Sequence, residues 1–231
     1  MNKSTLPRFL QPFYCSDLVR LGKANDGGYL VNKLDIARTE HLVSLGIGTD
    51  YSFEQEFAKL TQCQVHGYDG SITCDDDFFS GSNSFESRNI TTAAQLDAIL
   101  HANTFLKCDI EGAEYALLDS IIKNSSRLTG IVIELHNLTS NVNAVNIANF
   151  LCKLRQRLVH VHVNNYFYYK TPQGPIPDIL ELSFTGSSNI DYRTELTLPH
   201  SLDQPNNPND TFSYNRHLTF EFDKKLQIKK K

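Results

Sequence analysis

The feature that most constrains this chain is an apolar run, Leu42-Val43-Ser44-Leu45, that meets the glycine pair of Gly46-Ile47-Gly48. Phe53, Phe57 and Leu60 follow at helical spacing. The order predicts a strand, a tight turn and a helix, the first half of a nucleotide-binding βαβ unit. Glycine suits the turn because it tolerates positive φ and lets a ligand approach the backbone closely. The next apolar run, Gln64 to Tyr68, ends in Asp69. That carboxylate lies about twenty residues past the glycines, where a partner for a ribose hydroxyl is expected. With 231 residues and 40% hydrophobic content the chain can bury one sizeable core. One domain over 1–231 is therefore expected: a helical and turn extension over 1–40, a cofactor-binding core over 41–185, and C-terminal strands and a loop over 186–231.

Two nucleotide classes fit this outline, and local chemistry separates them. A dinucleotide fingerprint wants a third glycine where Tyr51 stands, and its pyrophosphate would be repelled by Asp50 at the helix start. A sulfonium ligand such as S-adenosylmethionine carries no phosphate, and carboxylates such as Asp50 suit its positive charge. The balance favours that ligand over NAD. Asp26-Gly27-Gly28, between apolar flanks, predicts a tight turn or hairpin. Its place just before the glycine strand leaves open that Asp26 and Gly27 cover the cofactor.

Further along, Ser71 to Ser87 is rich in Asp, Ser and Gly, with Phe78, Phe79 and Phe85 embedded. It predicts a long loop over the nucleotide base, then an edge strand near Phe85 to Ile90. Thr91 and Thr92 open a helix. Strands are expected at Thr104–Asp109, Gly130–His136 and Leu158–Asn164. Between them fall helices at Ala113–Lys123 and Val142–Arg157, the second with Val145, Ile147, Ala148, Leu151 and Leu154 inward. Later strands are expected at Ile179–Phe184, Arg193–Leu198 and Leu218–Phe222, and one or two short helices within the first 20 residues. Alternating strands and helices followed by terminal strands indicate an α/β fold: a mainly parallel twisted sheet flanked by helices, with antiparallel strands at one edge.

Composition bounds the partners. A formal net charge of −4 gives no footprint for nucleic acid, and the lysines of the tail, Lys224 to Lys231, are expected to be solvated. Five cysteines with no Cys-x-x-Cys spacing point to a reducing, cytoplasmic setting and away from a cysteine-rich zinc site. There is no membrane-length apolar run. A small-molecule acceptor is expected, and self-association stays open.

In an open parallel sheet the ligand lies beyond the carboxyl ends of the strands. Those ends carry Gly46 and Gly48, Asp69, Asp109, Glu134 and His136, and His162 and Asn164. Imidazole titrates near neutrality, so His136 or His162 is the expected general base for a hydroxyl beside the cofactor. His160, earlier in its strand, reads as structural. If a hard cation such as Mg²⁺ is bound, Asp109 and Glu134 are its expected oxygen ligands.

Lys107-Cys108-Asp109-Ile110-Glu111-Gly112-Ala113-Glu114 resembles the Lys-x-Asp-Ile-Glu-Gly-Ala-Glu signature of FkbM-type S-adenosylmethionine-dependent methyltransferases. The glycine turn, Asp26-Gly27-Gly28-Tyr29, Glu134-Leu135-His136 and His162 to Asn165 are similar to motifs of the methyltransferase-like branch of that group. The resemblance spans about residues 20 to 170. It implies a Rossmann-like class I methyltransferase fold and methyl transfer to a hydroxyl of a sugar, a glycan or a glycosylated small molecule. It places Gly46, Gly48 and Asp69 at the cofactor, and Asp109, Glu111, His136 and His162 at the reacting end. One departure stands out: many such enzymes carry an acidic residue two before the first motif glycine, and here it is Ser44. The rivals are an NAD-dependent oxidoreductase and a non-catalytic module that keeps the fold.

Overall fold

The computed structural model describes residues 4–171, 174–194, 196, 198–210 and 218–221. Its centre is a seven-stranded sheet. In chain order the strands are β1 (His41–Leu45), β2 (Gln64–Tyr68), β3 (Ser84–Glu86), β4 (Thr104–Cys108), β5 (Leu128–Leu135), β6 (Arg157–Val163) and β7 (Leu180–Thr185). Across the sheet they lie β6-β7-β5-β4-β1-β2-β3. Strands β3, β2, β1, β4 and β5 pair in parallel, whereas β7 runs antiparallel to both β5 and β6. The mainly parallel α/β sheet with an antiparallel edge is as the sequence predicts.

Strand alternation sorts the core into two faces. On one, Val43, Leu45, Leu106, Ile131 and Ile133 pack with Leu96, Ile121 and Phe150. Those three come from helices α2 (Ala93–Ile99), α3 (Leu118–Lys123) and α4 (Asn141–Lys153). On the other face Leu42, Phe105 and Val132 meet Phe53 and Phe57 of α1 (Ser52–Thr61), together with Tyr29 and Val31. β5 is buried along its whole length, so its near-continuous apolar run follows from cover on both sides. At α2, Thr92 and Gln95 form a reciprocal capping box, in keeping with the threonines that announce the helix.

Four expectations change. Residues 4–20 are not mainly helical. A 3₁₀ turn (Arg8–Leu10) sits among short strands, and Leu18–Gly22 pairs with Gly28–Asn32 as a hairpin closed by the Asp-Gly-Gly turn. Ser4–Pro7 pairs in parallel with Leu218–Glu221, and Tyr14–Cys15 with Ile190–Asp191. Pro7 and Pro12 disfavour a helix there, and distant strands supply partners that local periodicity cannot reveal. The helix expected at Ala113–Lys123 is split into a 3₁₀ turn (Glu114–Ala116) and α3. On α4 Ile147 and Phe150 are buried, Leu151 packs against the core and Leu154 lies just beyond, as expected save for Phe150, while Val145 is 52% exposed. A short strand forms at Ile190–Asp191 and residues 192–194 bend; of the expected strand Arg193–Leu198, residues 195 and 197 lie outside the described residues. Phe222 and the lysines at 224–231 lie outside the described residues. Among the described residues no helix is long and apolar enough to cross a membrane.

Candidate active site

Strand order reverses between β1 and β4, which opens a crevice beyond their carboxyl ends. A cavity of about 640 Å³ lies there. Gly46 has φ +74°, and a Cβ built on it would fall 1.5 Å from the Asp109 carbonyl oxygen. The turn is thus pressed against the end of β4, with room for no side chain. Gly48 has φ +61° but nothing within 4 Å of its missing Cβ, so it presents bare backbone to the cavity it lines.

Asp69 ties this turn to β2. Its Oδ2 accepts the N–H groups of Ile47 (3.0 Å) and Gly48 (2.7 Å), and its Oδ1 accepts from the Ser71 N–H and hydroxyl. Burial alone would raise its pKa. The Ser71 hydroxyl and the three backbone donors outweigh that and hold the carboxyl below its usual range. Asp26, Gly27 and Asp50 also line the cavity. Asp50 Oδ1 accepts from the Ser52 N–H at 3.2 Å at the start of α1, and a Cβ on Gly27 would stand 3.0 Å from Asp50 Oδ2. The hairpin turn therefore closes directly over the glycine turn. The aromatic part of the loop after Asp69 does not: Phe78 and Phe79 pack on Tyr51, and Ser71 and Asn89–Thr91 line the cavity in their place.

Asp109, at the end of β4, accepts the Tyr29 hydroxyl on Oδ2 at 3.1 Å, while its buried Oδ1 has no hydrogen-bond partner. Burial raises its pKa, opposed by Lys107 and His136. Lys107, buried on the same strand, donates to the Gly46 carbonyl at 2.9 Å and pairs with Glu54 Oε1 at 3.3 Å. Burial works against that ammonium, but Glu54 and Asp109 hold its pKa above the usual value. The Ser44 hydroxyl donates to the same Glu54 oxygen at 2.5 Å. A carboxylate thus reaches the neighbourhood of Ser44 after all, carried by α1.

At the end of β5, His136 stands among three carboxylates. Nδ1 lies 3.1 Å from Glu114 Oε1, and Nε2 lies 3.2 Å from Glu134 Oε1 and 3.5 Å from the exposed Glu111 Oε2. Glu114 also accepts the N–H groups of Ile110 and Gly112, which fixes the loop after β4, where Glu111 has φ +55°. Burial would lower the imidazole pKa, but Glu114 and Glu134 raise it to about 10. Glu134 itself is pushed to about 8 by burial and by Asp109. The neighbouring carboxylates thus favour the charged form of His136, whose ring bridges Glu114 and Glu134 at the cavity wall.

Asp109, Glu111, Glu134 and His136 all line the cavity, whereas His162 does not. Its Nε2 meets Asn206 Oδ1 at 2.9 Å and its Nδ1 lies 3.4 Å from Asp203 Oδ1. Burial is outweighed by Glu181, Asp203 and Asn206, which raise its pKa to about 9. A role at the reacting end is not supported by that position, because both ring nitrogens are engaged behind the wall. His160 is structural as expected, 2.9 Å from Asp203.

The donor set also decides the cation question. Asp109, Glu114 and His136 bring ligand-type atoms within 4.8 Å of one another. Mg²⁺ demands a near-octahedral oxygen shell. Glu114 Oε1 already takes two backbone donors, His136 occupies Glu134 Oε1, and Asn164 donates to Glu134 Oε2 at 3.4 Å. Both Glu134 oxygens are thus engaged, and with Asp109 Oδ2 on Tyr29 the pair does not offer the oxygen shell that the expected Mg²⁺ would need.

The strand order, the glycine turn at the reversal and the carboxylate-walled crevice define a Rossmann-like class I methyltransferase fold. A family model described as Methyltransferase FkbM domain matches residues 15–172, and the chain belongs to that family. By class it is an S-adenosylmethionine-dependent methyltransferase. No curated protein matches. The chain is similar to the fibrillarin pre-rRNA processing protein of Methanococcus jannaschii (14% identity over 74% of this chain and 83% of that one, TM-score 0.43). It is similar also to the precorrin-6y C5,15-methyltransferase of Geobacter metallireducens (14%, 66% and 85%, TM-score 0.41). A third similar structure is the fibrillarin of Aeropyrum pernix with natively bound S-adenosyl-L-methionine (9%, 78% and 87%, TM-score 0.41).

Sequence reasoning missed Tyr29, Glu54 and Lys107 as parts of the site. Lys107 carries its own signal, a charge inside an apolar strand, which is rarely buried unless paired. Glu54 carries none, since an acid in a first helical turn is ordinary.

Proposed function

We propose that the chain methylates a hydroxyl oxygen of a sugar, a glycan or a glycosylated small molecule. The observation that carries the reading is Asp109: a half-buried carboxylate of raised pKa, lining the cavity, with one oxygen on Tyr29 and the other, itself buried, unpartnered. The residues fit the family's donor. Gly48 leaves its backbone open, and Asp26, Asp50 and Asp69 line the pocket with carboxylates, which suit a sulfonium and would repel a phosphate. Gly27, Gly46 and Gly48 with these carboxylates would hold S-adenosylmethionine, which supplies a methyl group on a sulfonium.

Asp109 accepts the hydroxyl proton, a task suited to a carboxyl whose pKa is moved toward the working pH. Tyr29 orients it. His136, set between Glu114 and Glu134, opposes the burial that raises the Asp109 pKa. Glu111, the exposed member of the cluster, faces the acceptor side. Tyr166 and Phe167, 48% and 64% exposed, line the cavity with Asn164. Flat apolar rings beside amides suit a polyhydroxylated ring.

The test is S-adenosylhomocysteine release over a panel of neutral sugars, nucleotide-sugars and glycans, with and without chelator. Asp109→Asn is expected to lower turnover by about 10²–10⁴-fold while donor affinity holds, the range for loss of a general base. Chelator is expected to change nothing. If Asp109→Asn keeps the wild-type rate, the assignment of the base fails; if no hydroxyl compound is methylated, the substrate class fails.

A further inference from the structure

A second cluster lies at the opposite end of the sheet. His41 opens β1 and His66 sits on β2; their register places His66 beside Val43, on the same face as His41. His101 lies in the link between α2 and β4, a link held to the start of β1 by the N–H groups of Glu40 (2.9 Å) and His41 (3.4 Å) donating to the Asn103 carbonyl. His41 Nδ1 stands 3.2 Å from His66 Nε2. The His101 ring stacks on that of His41 at 4.5 Å, and one ring nitrogen from each of the three lies within 4.8 Å of the others. His41 and His66 are half-buried and His101 is exposed.

We propose that His41, His66 and His101 form a binding site for a transition-metal ion of imidazole preference, with Zn²⁺ the ion that the geometry fits best. Tetrahedral Zn²⁺ with Zn–N bonds of about 2.0–2.1 Å separates neighbouring nitrogens by roughly 3.3 Å, the spacing that His41 and His66 already have. His66 Nδ1 lies 3.1 Å from Ser84 Oγ. A hydrogen bond from the other ring nitrogen fixes the tautomer of a ligating histidine. Donation from Nδ1 to Ser84 leaves the Nε2 lone pair facing His41. The rings favour the neutral form that ligation needs: burial, and then the neighbouring imidazoles, lower the pKa of His41 and of His66. His101, exposed and stacked on His41, supplies the third nitrogen, and water the fourth ligand. Three imidazoles with an open position suit Zn²⁺ more than the oxygen-seeking Mg²⁺ or Ca²⁺. The ion would pin β1, β2 and the α2–β4 link together at the end of the sheet away from the cavity. Its effect is therefore on stability, and turnover stays independent of it.

The full chain, stripped of metal, is titrated with Zn²⁺ by calorimetry, and its melting is followed with and without the ion. Saturable binding of one ion per chain and a higher melting temperature are expected. Ser84→Ala is expected to weaken binding by about 10–100-fold, as loss of an outer-shell partner does, and His101→Ala by more. His101 is exposed, so its substitution leaves the fold intact and the reading clean. Co²⁺ in place of Zn²⁺ is expected to give the intense visible bands of a tetrahedral site, lost in His41→Ala. Two results overturn the proposal: no saturable binding by the wild-type chain, or binding that survives His101→Ala but is lost in His136→Gln. The second would move the ion to the cavity.

Discussion

Strands β5 and β6 end in nearly the same pattern. β5 runs out in Glu134-Leu135-His136 and β6 in His160-Val161-His162, each with two titratable groups on one face. Their surroundings are opposite. The end of β5 opens on the cavity, and Asp109 beside it keeps an unpartnered oxygen. The end of β6 is covered by the loop 199–210. Asp203 sits against both histidines, and Asn206 bonds His162, donates to Glu181 Oε1 at 2.6 Å and to Asp26 Oδ1 at 2.9 Å. Asn165 and Asn207 exchange two further bonds, at 2.7 and 2.9 Å. Polar groups at a strand end stay open to the cavity where the fold leaves them a vacant partner, and are tied into the wall where a loop supplies one.

The sharpest way to break this contrast is to exchange the two histidines for glutamine and measure turnover. His136→Gln is expected to lose about 10² or more in rate, since the carboxylates beside Asp109 lose their cation. His162→Gln, with its stability loss allowed for, is expected to keep the rate within a few-fold. A rate collapse in His162→Gln with donor binding intact would bring the β6 end into the chemistry.

Next in size is the loop itself. Asn206→Ala leaves His162 and Glu181 short of buried partners, which costs about 1–3 kcal/mol of stability by denaturant unfolding. A loss near zero would mean that the loop merely rests on the histidines.

The smallest effect is a slope. The pKa of His136 is raised to about 10 and that of His162 to about 9. Their protonated forms are favoured in the folded chain, so this stability is fully present below about pH 6.5 and is lost as pH rises toward 9–10. Glu134, raised to about 8, adds a loss of the same sign that begins above its unfolded value near 4.5. Each glutamine variant is expected to flatten part of the alkaline decline. A decline that neither substitution alters would assign it to other groups.

Much of the site was legible because it is local. A glycine turn needs particular φ values, and the strand before it and the helix after it announce themselves by period. The spacing to Asp69 follows from one βα unit. All six residues expected at the cofactor line the cavity, and so do Asp109, Glu111 and His136. The rest was not legible, because it depends on residues far apart in the chain. Glu54 reaches Ser44 from the facing helix, and Tyr29 reaches Asp109 across 80 positions. His162 looked as promising as His136 until a loop some forty residues later closed over it.

The alternation of apolar runs, the glycine turn and the acids and histidines at strand ends were written in the sequence, since backbone sterics and side-chain period act over a few residues. Which histidine faces the cavity, how far each proton is held, and where β7 inserts were decided by tertiary structure alone. Burial and the charges of distant segments set those properties, and no local stretch carries them.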